Sequence, residues 1–168
     1  MNVEIRNEVA TDVEAIDAVT TAAFLTAPHT DHREQHIVKA LRKAGRLTLS
    51  LVAVVDGHVV GHVAVSPVAI SQAPSGWYGL GPVSVAPAYQ GQGIGARLVR
   101  EALRQLRARG AGGCVVLGEP AYYGRFGFRA EPGLVLPGVP PAYFQAVALG
   151  TAVPCGTVSY DASFNAQA

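Results

Sequence analysis

Three alternating glycines form the part of the sequence best suited to binding a phosphorylated ligand. The segment Gly91-Gln92-Gly93-Ile94-Gly95 follows an apolar run and precedes a helical pattern. At a turn from a strand into a helix, several backbone N–H groups converge, and the unpaired amides of the helix start add partial positive charge. The glycines let a ligand approach this backbone closely. Taken alone, they are equally consistent with a sharp turn that binds nothing.

Two familiar phosphate-binding motifs do not fit this turn. The segment lacks the Gly-Lys-Ser/Thr ending of the P-loop in nucleotide triphosphatases. A dinucleotide fingerprint follows the first strand of a parallel βαβ unit. Here the turn follows a strand that comes after a predicted antiparallel hairpin, so neither motif is indicated.

Pro87 adds a separate indication just before the glycines. Proline has no N–H to donate to a neighbouring strand, so pairing on that side should end there and leave backbone groups of residues 83–86 free. An extended ligand with amide groups can add to such an edge like a short strand. Pantetheine is such a ligand: it carries two amides and ends in a pyrophosphate, which the glycine turn would receive. The predicted sheet separates after Val85.

Apolar periodicity predicts the elements that position these groups. Helices are expected to begin after Asp12 and near Gly93, and to cover residues 31–43 and 121–126. Asp56-Gly57 is a typical hairpin turn. The predicted strands are 3–9, 47–55, 59–70, 77–86, 114–117 and 157–160. The order predicts one α/β (α+β) domain over residues 1–168, with a mixed, mostly antiparallel sheet flanked by helices.

Composition narrows the class of protein. The chain has 168 residues, of which 49% are hydrophobic and 15% charged, and its formal net charge is +1. This balance supports a well-filled core, and it gives no broad field for nucleic acid or an anionic membrane. The start of the sequence lacks the pattern of a signal peptide. Cys114 and Cys155 are far apart and are interpreted as buried apolar residues. A cytoplasmic protein is expected.

The segments around these features resemble a known superfamily. Val83-Ser84-Val85-Ala86-Pro87 followed by Gln90-Gly91-Gln92-Gly93-Ile94-Gly95 resembles the Gln/Arg-x-x-Gly-x-Gly/Ala motif of the GNAT N-acetyltransferases. Tyr122-Tyr123-Gly124-Arg125-Phe126-Gly127-Phe128 resembles their second signature, and the segment from Gly118 is similar to a bacterial branch of predicted acetyltransferases. The resemblance implies acetyl-CoA as cosubstrate and a sheet splayed after its fourth strand.

The resemblance also implies roles for individual residues. The backbone N–H of Val83 would meet the oxyanion, and the backbone of Val85 would hold pantetheine. Tyr123 matches the tyrosine that protonates the departing thiolate, whereas Tyr122 matches a packing aromatic. The remaining cofactor-binding positions are Gln90, Gly91, Gln92, Gly93, Ile94, Gly95 and Ala96.

The base that takes a proton from the amine is the least defined part of the predicted site. Many family members carry a glutamate on the strand before the glycine turn, but the matching position here is Gly79. Glu119, which follows a predicted buried strand, is one catalytic candidate, and a chain of water molecules is another. Glu119 is also suited to capping the helix that follows.

The histidines give no predicted metal site. His29, His32 and His36 lie close together, and His32 and His36 share a face of the predicted second helix at a spacing that can bind zinc. Arg33 stands where metalloproteases of this pattern have glutamate, so a solvated helix face is favoured. His58 is expected to be exposed, and His62 to face either side of its strand.

These features predict transfer of an acetyl group from acetyl-CoA to the amine of a small molecule or protein. The alternative is a catalytically silent domain that binds or senses acyl-CoA, which the missing strand glutamate favours and Tyr123 opposes. Residues 24–36 and 133–150 are expected to build the acceptor pocket. No nucleic-acid or membrane partner is predicted, and a homodimer is compatible with the sequence.

Overall fold

The computed structural model describes residues 1–28, 30–73 and 75–167. It contains eight strands: β1 Val3–Asn7, β2 Leu49–Val55, β3 His58–Ile70, β4 Trp77–Val85, β5 Gly113–Leu117, β6 Leu134–Val135, β7 Phe144–Ala148 and β8 Gly156–Tyr160. Its α-helices are α1 Val13–Leu25, α2 Glu34–Lys43, α3 Ile94–Ala108 and α4 Pro120–Tyr123. The predicted α/β class and flanking helices are confirmed.

The strands form a mixed sheet in the order β1-β2-β3-β4-β5-β7. Only β4 and β5 run parallel along this path, because α3 carries the chain between them; the other neighbours are antiparallel. β8 adds to the far end of β3 through Val68–Ile70 and pairs in parallel with β6. The predicted hairpin between β2 and β3 is confirmed, with positive φ at Asp56 and Gly57.

Helices cover both faces of the sheet. Apolar side chains of α3, such as Leu98 and Val99, pack with Leu51 and Val63 on one face. Ile16 of α1 and Val38 of α2 pack with Val52 and Ala64 on the other face. Successive side chains of a strand point to opposite faces, which explains why neighbouring residues of β2 and β3 belong to different clusters.

The sheet separates between β4 and β5, earlier than predicted. The two strands pair only from Trp77 to Gly79, and within the described residues Leu80–Val85 have no partner on β5. Pro82 lies in this unpaired part and lacks an N–H group, so it cannot extend a ladder of hydrogen bonds. On its other edge β4 continues to pair with β3 as far as Val85. The resulting opening is called the β4–β5 gap below.

Several sequence predictions need correction. β7 was not predicted, because its five residues lie in a segment rich in proline and glycine, yet it pairs along the whole of β5. The second helix begins at Glu34 rather than at Asp31. Leu117, expected in a fully buried strand, is exposed at the end of β5. Cys114 is buried as expected, but Cys155 is exposed.

Candidate active site

The β4–β5 gap presents free backbone groups of β4. Ala86 N–H donates to Val60 O of β3 at 2.8 Å. Because backbone groups alternate in direction along a strand, the N–H groups of Val83 and Val85 point away from β3, toward the side that β5 has left. The carbonyl of Val85 points the same way and accepts a 3.0 Å hydrogen bond from Gln90 Nε2. This edge can therefore pair with an extended ligand.

The glycine turn continues this edge into the start of α3. Gly91 and Gly93 have φ of 78° and 81°, a left-handed conformation that glycine adopts without strain. A β-carbon built at either glycine would meet nothing within 4 Å, so both face open space. Gly93 directly precedes α3, so the unpaired N–H groups of the first turn of α3 lie beside this space. The turn thus has the backbone shape of an anion-binding cradle.

A cavity of about 360 Å³ lies over the turn and the end of β4. Seven of the nine predicted cofactor-binding residues line it: Val85, Gln90, Gly91, Gly93, Ile94, Gly95 and Ala96. Val83 and Gln92 are not part of its lining; Val83 is half-buried on β4 and Gln92 is exposed at the turn. The cavity therefore joins the free strand edge to the helix start.

Three residues that the sequence analysis did not assign to the cofactor also line this cavity: Tyr89, Tyr122 and Arg125. The Tyr122 hydroxyl oxygen lies 2.9 Å from where a β-carbon at Gly95 would stand, so a larger residue here would displace the end of the Tyr122 side chain. The Arg125 guanidinium lies 4.7 Å from the centre of the Tyr122 ring. Tyr122, which was expected only to pack, thus borders the cavity. The sequence feature that could have indicated this is its place next to Tyr123 in the second signature.

Tyr123 lies on the inner side of the same short helix. Its ring packs edge-on against Phe128 and Tyr122, with centroid distances of 5.9 and 5.0 Å, and borders the core under α3. Burial, together with the neighbouring Tyr122 and Cys114, raises the pKa of Tyr123 to about 12. The phenol therefore stays protonated at neutral pH and can donate a hydrogen bond or a proton.

Known proteins resemble this chain over most of its length. The profile of the Acetyltransferase (GNAT) family matches residues 13–128. The chain belongs to the GNAT family. A curated relative, the uncharacterized N-acetyltransferase YhbS of Escherichia coli K12, is 42% identical over 125 residues, which are 74% of this chain and 72% of YhbS.

Solved structures of GNAT proteins share the fold. A GNAT family acetyltransferase from Brucella melitensis in complex with acetyl-CoA is 52% identical, with a TM-score of 0.86 over 97% of this chain and 98% of that protein. Escherichia coli YhbS in complex with CoA is 36% identical, with a TM-score of 0.89 over 98% and 93%. The predicted family resemblance is confirmed.

This GNAT chain carries no acidic side chain at the family's base position. Any side chain at Gly79 would collide with the ring of Tyr160, which reaches over from β8. Glu119 is exposed and is the residue before α4, but its side chain makes no capping hydrogen bond. Its carbonyl oxygen accepts hydrogen bonds from the N–H groups of Tyr122 and Tyr123. Glu119 thus fixes the two tyrosines through its backbone, and its catalytic role stays a prediction.

A buried polar chain lies on the α1 and α2 face of this GNAT sheet. His62 is fully buried, and its Nε2 lies 2.8 Å from Ser50 Oγ, which donates to Glu8. Glu8 is held by Arg42 at 2.7 Å. Burial lowers the pKa of His62 to about 4, although the charge of Glu8 opposes this. His62 is therefore neutral at neutral pH.

His32 and His36 do not form the helix face that their spacing suggested. His32 has φ of 60° and precedes α2, whereas His36 lies within α2. His29 lies outside the described residues. His58 is exposed as expected. Across the described ranges, there is no group of three or more histidine, cysteine or acidic side chains placed to hold a metal ion, and no helix is long and apolar enough to cross a membrane.

Proposed function

We propose that this protein transfers the acetyl group of acetyl-CoA to the amine of a small molecule or protein. The observation that carries the proposal is the β4–β5 gap, whose free Val83 and Val85 N–H groups lead directly into the glycine turn. A ligand that has amides at one end and a pyrophosphate at the other matches this combination of strand edge and helix start. The complexes of the two GNAT relatives with acetyl-CoA and CoA support it.

The cavity residues would hold the cofactor in two ways. The backbone of Val85 would pair with the pantetheine amides, and the N–H groups of Gly91, Gly93 and Gly95 would face the pyrophosphate. Arg125 adds the positive charge of a side chain at the rim of the same cavity. Gln90 occupies the Val85 carbonyl with its amide N–H, so ligand binding at that oxygen requires Gln90 to move or to share it.

Two groups of this chain serve the transfer itself. The free N–H of Val83 would donate to the oxygen that becomes negative when the amine attacks the thioester carbonyl, and one such donor is typically worth about a hundredfold or more in rate. Tyr123 would give its proton to the departing sulfur, because its pKa of about 12 keeps it protonated. Glu119 at the start of α4, or water, would take the proton from the amine.

The silent acyl-CoA-binding domain is the second candidate, and the ring of Tyr160 over Gly79 favours it, because no carboxylate can stand there. A panel of amines and peptides incubated with acetyl-CoA separates the two. Release of free thiol together with an acetylated amine supports transfer. Stabilisation by acetyl-CoA without thiol release from any amine contradicts transfer and supports the silent domain. The cytoplasmic location and the homodimer stay predictions.

A further inference from the structure

Tyr160 reaches from the end of β8 across β3 to β4. Its backbone pairs with Val68 of β3. A β-carbon at Gly79 would collide with Tyr160 Cε1 and would lie 3.1 Å from both Tyr160 Cδ1 and Val68 Cγ1. Gly79 does not have a left-handed φ, so the close approach of the ring explains why this position is glycine.

The ring of Tyr160 lies over Gly79, at the root of the β4–β5 gap. Cε1, which is next to the hydroxyl-bearing carbon, is closer to Gly79 than Cδ1 is, so the ring points past Gly79 with its hydroxyl end leading. Gly79 is the last residue of β4 that pairs with β5. Burial raises the pKa of Tyr160, and the neighbouring Cys114 of β5 and Tyr123 of α4 add to this. The Tyr160 phenol therefore stays protonated at neutral pH.

The segment after Tyr160 holds this ring in place. Asp161 pairs with Arg46 at 3.2 Å and accepts a 2.9 Å hydrogen bond from Ser163 N–H. The Phe164 ring lies 4.9 Å from the Tyr160 ring, centre to centre. Arg33, just before α2, donates to the carbonyl of Ala166 at 3.2 Å. Contacts to the residues that flank α2 therefore hold the segment after Tyr160, and Phe164 of that segment packs on the Tyr160 ring.

A buried hydroxyl group beside Gly79 has no partner among the described residues. Ser66, which pairs with Gly79 across the strands, is fully buried, and its Oγ makes no hydrogen bond to any residue that the structure describes. Tyr160 also makes no side-chain hydrogen bond with the described residues. Buried hydroxyls are normally paired, because an unsatisfied one costs free energy. One unpaired buried hydroxyl and the phenol ring of Tyr160 at the same glycine indicate a place for a polar ligand group.

The two tyrosines at the gap come from opposite faces of the sheet. Tyr123 packs with the cluster under α3. Ser66 points to the same face as Ala64, two residues earlier, which packs with α1 and α2. Gly79 shares this face because it is the cross-strand partner of Ser66. The glycine turn binds from the α3 side, so an amine that meets the thioester from the other side passes Tyr160.

We propose that Tyr160 is a further catalytic residue, whose hydroxyl oxygen accepts a hydrogen bond from the N–H of the acceptor amine at the root of the gap. This rests on the proposed acetyl transfer. The neutral amine attacks the thioester carbonyl and forms the new C–N bond, and the C–S bond then breaks as sulfur takes the proton of Tyr123. The proton that the nitrogen loses passes to Glu119 or water, from which the Tyr123 phenolate is reprotonated. Tyr160 orients the amine and takes no proton from it.

Tyr160→Phe tests this role, because it keeps the ring over Gly79 and removes only the hydroxyl. We expect kcat/KM for the amine to fall about tenfold, the size of one hydrogen bond, while the rise in melting temperature caused by acetyl-CoA stays unchanged. Tyr78→Phe is the matched control, since Tyr78 precedes Gly79 but packs with the α3 cluster. Equal turnover in Tyr160→Phe and wild type overturns the proposal.

A second measurement does not depend on turnover. In protein labelled with 13C at the ζ carbon of tyrosine, the resonance missing from Tyr160→Phe identifies Tyr160. We expect this resonance to move when acetyl-CoA replaces CoA, and the Tyr78 resonance to stay in place. If the Tyr160 resonance does not respond, Tyr160 does not lie near the acyl group and the proposal is overturned. Absence of turnover with every amine would instead contradict the proposed function, while the resonance still decides where Tyr160 lies.

Discussion

The two sides of the β4–β5 gap are built in different ways. The cofactor side uses one continuous stretch, from the end of β4 through the glycine turn into α3, and α4 follows soon after in sequence. The proposed acceptor side combines α1, α2, the middle of β3 and the C-terminal segment around Tyr160, which are distant in sequence. Of the segments predicted to build the acceptor pocket, residues 24–36 overlap it and residues 133–150 do not. Backbone groups dominate the first side and side chains the second. A motif can therefore record the cofactor side, whereas only the folded chain assembles the acceptor side.

The largest expected effect comes from filling the glycine turn. Gly93→Val should abolish the stabilisation by acetyl-CoA, because the side chain would enter the cradle. In wild type a ligand at about 100 times its Kd stabilises by about 2.7 kcal/mol, which is roughly 5–10 °C in Tm for a domain of this size. Thermal unfolding with and without acetyl-CoA measures this difference.

Gly110→Val is the matched control at the other end of α3. Gly110 has φ of 79° against 81° for Gly93, and neither has a neighbour within 4 Å of the added β-carbon. Both variants should lose similar stability from backbone strain, but Gly110→Val should keep the full response to acetyl-CoA. An undiminished response in Gly93→Val would show that the cofactor does not use this turn.

The next effect separates the two neighbouring tyrosines. Tyr123→Phe should lower kcat by about tenfold to a thousandfold, with little change in acetyl-CoA affinity, if its proton goes to sulfur. Tyr122→Phe should leave kcat nearly intact and alter KM for acetyl-CoA, because its hydroxyl borders the cavity at Gly95. Steady-state kinetics on both variants decides this, and the opposite pattern would mean that the roles are exchanged.

A smaller effect is expected on the pH dependence of stability, through His62 on the proposed acceptor side. The folded protein holds His62 neutral down to about pH 4, whereas the unfolded chain binds a proton below about pH 6.5. The free energy of unfolding therefore decreases by about 2–3 kcal/mol in total as pH falls from 6.5 to 4. His62→Gln should remove this part of the pH dependence of unfolding, while the exposed His58→Gln should not. Equal slopes in all three proteins would show that His62 does not titrate this way.

The same contrast explains what could be predicted from the sequence. Periodicity and turn residues predicted β2, β3, the hairpin at Asp56-Gly57 and α3, because each signal lies within one short segment. β7 was missed because its pairing partner β5 is distant and its flanks resemble a loop. The early separation of β4 from β5 after Gly79 depends on Pro82 and on how far β3 and β5 each pair with β4. No single motif records this combination. Tyr160 had no local signal at all, since only the fold brings it to Gly79.

Hydrogen exchange at the edge of β4 tests the central claim most directly, namely that the cofactor adds to the β4–β5 gap like a strand. The N–H groups of Val83 and Val85 point into the gap, whereas that of Ala86 already bonds to β3. Exchange is followed residue by residue by NMR. When acetyl-CoA binds, exchange at Val83 and Val85 should slow markedly, and exchange at Ala86 should change little. Unchanged exchange at Val85 under saturating acetyl-CoA would contradict the account.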